Sequence, residues 1–204
     1  MSDFATVADE ARITKTVAAL EQHNFTVAVV DNATAAKNAV LALLPQGAEV
    51  LTVTSKTLDT IGLVGDINES GVYDALRPKL NAMMGDPAKK REQRKLAAAP
   101  DYVVGSVHAL TEDGMALIAS ATGSQLPPYT YGAGQVIWVV GAQKIVADLQ
   151  EAEQRLTDYV FPLEDARSQQ AYGMGSGINK LLFYKKESTP GRVHIVIVKE
   201  ALGF

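Results

Sequence analysis

Residues 25–55, FTVAVVDNATAAKNAVLALLPQGAEVLTVTS, decide the fold. FTVAVV is apolar and β-branched, the composition of a strand. Asn32 then offers a side-chain oxygen to cap a helix on which Ala36, Val40, Leu43 and Leu44 share one face. Pro45-Gln46-Gly47 stops that helix, and EVLTVT (49–54) is a second strand. The early strands are continuously apolar rather than alternating, as expected where helices cover both faces of a sheet. Strand, helix, strand in this order predicts parallel pairing.

The same reading extends in both directions. Upstream, Ile13, Val17 and Leu20 fall at helical spacing within residues 5–22, so residues 1–24 are expected to be an N-terminal helical segment. Downstream, SKTLDTIGLVGDIN predicts a helix starting near Ser55. The pattern from 66 to 98 is broken by ESG and MMGDP, after which Asp86-Pro87 starts a helix, AKKREQRKLAAA, that runs to Pro100. YVVGSV, MALIAS and QVIWVV follow as strands, with HALTEDG as a tight turn between the first two. A last helix is expected over about 148–159, with Asp148 as its cap and Leu149, Ala152, Leu156 and Tyr159 on one stripe. NKLLFYKK and VHIVIVKE, joined by STPGR, read as an antiparallel hairpin. Residues 1–204 are thus expected to form one α/β domain, a mixed, largely parallel sheet flanked by helices with some inserted β structure.

The chain has 47% hydrophobic and 21% charged residues and a net charge of −4, ordinary globular values. That balance argues against a dedicated nucleic-acid binder, which carries a basic domain. With no cysteine, the chain holds no disulfide, thiol nucleophile or Cys-ligated zinc or iron–sulfur cluster. MSDFATVADEARITK lacks the basic flank and apolar core of a signal peptide, and VIWVVGA and VHIVIV are too short to span a bilayer. A cytoplasmic location is the expectation. His23, His108 and His194 show no metal-binding spacing, and no metal or cofactor is expected. The run Lys89, Lys90, Arg91, Arg94 and Lys95 reads as a solvated helix face.

Three stretches carry candidate chemistry. In VLTVTSKTLDTIG, Thr54, Ser55 and Thr57 stand where a strand ends and a helix opens, and Lys56 adds a cation. Free backbone N–H groups there favour an anion, although Ser55 or Thr57 also serve as ordinary helix caps. Open α/β sheets bind ligands at the carboxyl ends of their strands. TGSQLPPYTYGAG (122–134) spends thirteen residues on one crossing, and loops of that length are often functional. It offers Thr122, Ser124 and Gln125 as hydrogen-bonding groups, and Gly123, Gly132 and Gly134 for close backbone approach. Glu112, in ALTEDG, is a candidate nucleophile or base, against the plainer reading that it only helps make a turn. YGMGSGIN (172–179) follows a charged helical stretch rather than a buried strand, so it is not a dinucleotide fingerprint. It reads as a flexible connection or, less simply, a ligand-covering loop.

Residues 101–165, DYVVGSVHALTEDGMALIASATGSQLPPYTYGAGQVIWVVGAQKIVADLQEAEQRLTDYVFPLED, with SGINKLLFYKKE (176–187), VKEALGF (198–204) and TSKTLDTIGL (54–63), resemble the LUD-domain family. The chain is similar in particular to the small, C-type lactate-utilisation members. The resemblance implies a fold like that of glucosamine-phosphate deaminases, ribose-phosphate isomerases and CoA transferases, in which strand-to-helix loops bind phosphates or CoA. It also implies a role in oxidising L-lactate to pyruvate beside iron–sulfur partner proteins, with a small anionic metabolite as ligand. It supplies no catalytic set. A stand-alone isomerase or acyl/CoA-transferase-type enzyme using Glu112, and a non-catalytic assembly subunit, remain alternatives.

Overall fold

The structure is a computed structural model that describes residues 3–204; the first two residues of the expected N-terminal segment lie outside the described ones. The chain runs α1 (Glu10–Gln22), β1 (Thr26–Val30), α2 (Ala33–Leu43), β2 (Glu49–Thr52), α3 (Lys56–Thr60), α4 (Leu63–Asn68), β3 (Asp74–Ala75) and α5 (Leu76–Ala82). It continues with α6 (Lys90–Ala98), β4 (Tyr102–Gly105), β5 (Ala109–Thr111), β6 (Ala116–Ser120), β7 (Gln135–Gly141), β8 (Ile145–Val146), α7 (Leu149–Arg155), α8 (Phe161–Tyr172), β9 (Lys180–Tyr184) and β10 (Val193–Val198).

Six strands form one sheet in the order β1-β10-β7-β4-β2-β3, every pair parallel. Its central strands β10, β7 and β4 are largely apolar and buried because both faces are covered, whereas the edge strands β1 and β3 are partly exposed. Val136, Trp138 and Val140 of β7 pack on one face with Ile13 and Leu20 of α1 and Leu76 and Leu80 of α5. Ile137 and Val139 pack on the other with Ala36 and Val40 of α2 and Leu58, Leu63 and Ile67 of α3 and α4. The period of two thus survives in the structure, with an apolar residue at both phases.

The other strands make a second sheet, β8-β5-β6-β9, in which β5–β6 and β6–β9 are antiparallel. Leu110, Ala116, Ile118 and Tyr184 on one side join the main core through Trp138. Ala109, Leu117 and Ala119 on the other pack with Ala152, Leu156 and Val160.

Several boundaries differ from the sequence reading, each for a local reason. The first helix begins at Glu10 because the Asp9 side chain accepts from Arg12 N at 2.8 Å. The helix expected from Ser55 breaks at Gly62, which adopts φ 72° and separates α3 from α4. The last two strands are not a hairpin: β9 pairs with β6, whereas β10 inserts between β1 and β7. An apolar run such as VHIVIV fits a doubly covered central strand, and that is where it lies. The helix begun at Leu149 continues past residue 159, because a π turn at Leu156–Val160 carries the chain directly into α8. Among the described residues no helix is long and apolar enough to cross a membrane.

Candidate functional site

A cleft with a cavity volume of about 370 Å³ opens where β2 and β4 end, bordered by the turn after β7, the end of β6, α8 and the loop that follows it. The strands concerned, β7, β4 and β2, are neighbours in the main sheet. Thr54, Ser55, Lys56 and Thr57 follow β2, while Ser106, Val107 and His108 link β4 to the second sheet. The cleft therefore sits at the carboxyl ends of parallel strands, where this class of sheet binds ligands.

At its floor is Lys144, which sequence reasoning missed. Its side chain is 2% exposed, and Nζ donates to Thr57 Oγ1 at 3.0 Å, Ser106 Oγ at 3.2 Å and the Val107 carbonyl at 3.2 Å. Thr57 Oγ1 in turn donates to the Leu202 carbonyl at 3.2 Å, so it meets Lys144 as an acceptor. Burial, and then the charge of Arg155, push the Lys144 ammonium down to about 7. The available signal was a lysine three residues beyond the apolar run VIWVVG.

Arg155 is fully buried at the end of α7. Its Nη1 donates to the His108 carbonyl at 2.6 Å and its guanidinium lies 5.3 Å from the Tyr159 ring centroid, but Nε and Nη2 have no partner. Burial lowers it to about 10. Among the described ion pairs neither Lys144 nor Arg155 meets a carboxylate. Two buried cations without an acidic partner are costly unless something else supplies negative charge.

His108 lines the cleft with Lys144, whereas Arg155 is not among the lining residues. Ala119 N donates to its Nδ1 at 3.1 Å, which leaves the ring proton on Nε2. Burial, then Lys144, then Arg155 depress its protonation to about 3, so the ring stays neutral and presents an N–H donor.

The predicted residues do not all meet at the cleft. Thr54, Ser55, Lys56 and Thr57 and, from the long loop, Thr122, Ser124 and Gln125 all line the cleft. Ser55 precedes α3 without a side-chain cap bond, so its hydroxyl is uncommitted. Gln125 is spoken for: its amide donates to the Ala119 carbonyl at 3.1 Å and its oxygen accepts from Ser120 Oγ at 2.8 Å, pinning the loop to β6. Gly123 and Gly132 line a shallow neighbouring hollow with Pro127 and Tyr131. A Cβ on Gly132 would stand 1.8 Å from the Ala98 carbonyl and one on Gly134 3.0 Å from that of Asp101, so these glycines allow backbone packing. Tyr129 fills the core edge-on to Trp138, with ring centroids 5.3 Å apart. Glu112 is not among the residues lining the cleft. Its carboxylate accepts from Arg12 Nε at 2.6 Å and Lys15 Nζ at 2.8 Å, and bonds to Lys15 and then Arg12 hold it below the usual carboxylate range.

The remaining wall comes from α8 and the 173–178 loop. Glu164 and Arg167 form a two-toothed ion pair at 2.7 and 2.6 Å, which raises the guanidinium further. Asp165 Oδ1 accepts from Ser176 N at 2.7 Å and ties the glycine-rich loop against the helix. That loop thus borders a cleft instead of serving only as a connection. Among the described residues no group of three or more His, Cys, Asp or Glu could hold a metal ion.

Comparisons agree with this architecture. A crystal structure of a DUF162 family protein from Deinococcus radiodurans is similar, with a TM-score of 0.57 over 95% of this chain and 99% of that one. Identity is 14%, so the likeness is one of fold. No curated protein matches. A family model described as the LUD domain matches residues 13–198. With a match of that extent, the chain belongs to the LUD-domain family.

Proposed function

We propose that this protein is a cysteine-free subunit of lactate utilisation whose cleft binds a metabolite carrying a carboxylate or phosphate. The observation that carries the reading is Lys144, a buried amine that lines the cleft and meets no carboxylate among the described ion pairs. An anion at Lys144 Nζ supplies the missing charge, and Ser55 and the His108 Nε2–H supply neutral donors around it. The cationic side chains here do more than the dipole of α3, which has only five residues.

Oxidising a 2-hydroxy acid to a 2-oxo acid removes two electrons and two protons. This chain has no cysteine to hold a cluster, so the electrons pass to iron–sulfur partners in a cytoplasmic assembly, and this subunit contributes the anion site. Thermal-shift measurements with lactate, pyruvate, phosphosugars and CoA species test the site. Stabilisation by at least one anion, lost in Lys144→Met and reduced in Ser55→Ala, is expected; no stabilisation by any of them contradicts it. Recovery of iron–sulfur proteins in stoichiometric amounts from native extract tests the assembly, and a lone, catalytically active chain contradicts it.

A further inference from the structure

We infer that the cleft takes an organic anion with one charged end and an extended apolar body, of the acyl or aryl carboxylate class, rather than a three-carbon acid alone. This deepens the anion-binding reading of the same cleft and rests on it. The first observation is size. A cavity volume of about 370 Å³ lies in the range of roughly 300–1,000 Å³ found for sites that take drug-sized ligands. A hydroxy acid of three carbons is well below the ligand size that such sites hold.

The second observation is how the lining is divided. Charge without a carboxylate partner and a free hydroxyl come from the strand ends, at Lys144, Lys56 and Ser55. The wall built by the π turn, α8 and the following loop brings Leu156, Val160, Phe161 and Ile178 to the cleft, beside Ser168, Ser176 and the Glu164–Arg167 pair. Its cation, Arg167, is already matched by Glu164. A ligand bearing charge at both ends would meet a spent ion pair on this wall, whereas a hydrocarbon would meet its own kind. Tyr172 and Met174, also lining the cleft, are 58% and 69% exposed. Large apolar side chains left in water beside a cleft gain by being covered, and an acyl or aryl group would cover them.

Titration calorimetry with acetate, lactate, butyrate, hexanoate and octanoate tests this. Affinity should rise from butyrate to octanoate, by up to about fourfold per methylene at full burial. Lys144→Met should weaken every member of the series, and Tyr172→Ser combined with Met174→Ser should flatten the rise. Where Lys144→Met fails to fold by circular dichroism, Ser55→Ala and Lys56→Ala replace it and must each lower affinity. Equal affinity along the series, lost in the Lys144 variant, overturns the apolar-body inference and leaves the anion site standing. No binding at all, or binding indifferent to all three polar substitutions, overturns both.

Discussion

Burial of Lys144 has a consequence for stability that runs against the usual alkaline trend. In an unfolded chain its ammonium titrates near 10.5, and in the fold near 7. Below pH 7 both states hold the proton and the fold carries the full cost of a buried cation. Between pH 7 and 10.5 the unfolded chain binds more protons than the folded one, so unfolding free energy rises with pH. Above 10.5 both are neutral and the cost is gone. At roughly 1.4 kcal/mol per pH unit the whole effect is about 5 kcal/mol, of which about 2 kcal/mol falls between pH 7 and 9. Lys144→Met removes the ionisable group while keeping a chain of similar length, so the difference between wild type and variant isolates it. Urea unfolding of both proteins at pH 7, 8 and 9 should show the wild type gaining about 2 kcal/mol on the variant. Parallel stability curves would refute the reasoning, since they would mean that Lys144 titrates alike in the folded and unfolded chain.

Anion binding should carry the complementary signature. Above about 7 the empty site has lost its proton, so an anion must bring one in, and affinity should fall about tenfold per pH unit. Calorimetry in buffers of different ionisation enthalpy reads that proton uptake directly, and Lys144→Met should abolish it. Gly132→Ala places a methyl against the Ala98 carbonyl and should cost about 2 kcal/mol, because backbone cannot yield as a side chain does; chemical denaturation measures it. Glu112→Gln loosens a partly exposed ion-pair cluster with Arg12 and Lys15 and should cost no more than about 1 kcal/mol. It should leave anion affinity unchanged, and a loss of affinity would bring back the reading in which Glu112 serves the cleft.

The parallel sheet was legible because its strands are apolar at both phases, as FTVAVV and EVLTVT already declare. The TSKT turn and Thr122, Ser124 and Gln125 were legible as cleft-lining residues because strand position and hydrogen-bonding chemistry are local properties. The destination of β9 and β10 was not, since nothing in STPGR tells a hairpin from a crossing between two sheets. Gly132 and Gly134 misled for a related reason: a glycine that allows backbone to approach backbone has the same sequence signature as one that admits a ligand. Lys144, His108 and Arg155 come from three separate stretches, and only the tertiary fold brings two cations and a neutral ring around the Val107 corner. Their meaning lies in burial without a counter-charge, which one-dimensional spacing does not record.

The most direct measurement is a crystal structure of the protein grown with a saturating organic carboxylate such as hexanoate. The expected result is carboxylate density within hydrogen-bonding distance of Lys144 Nζ, with the hydrocarbon running toward Val160 and Ile178. A well-ordered cleft holding only water at Lys144, with the carboxylate absent or bound elsewhere, would contradict it.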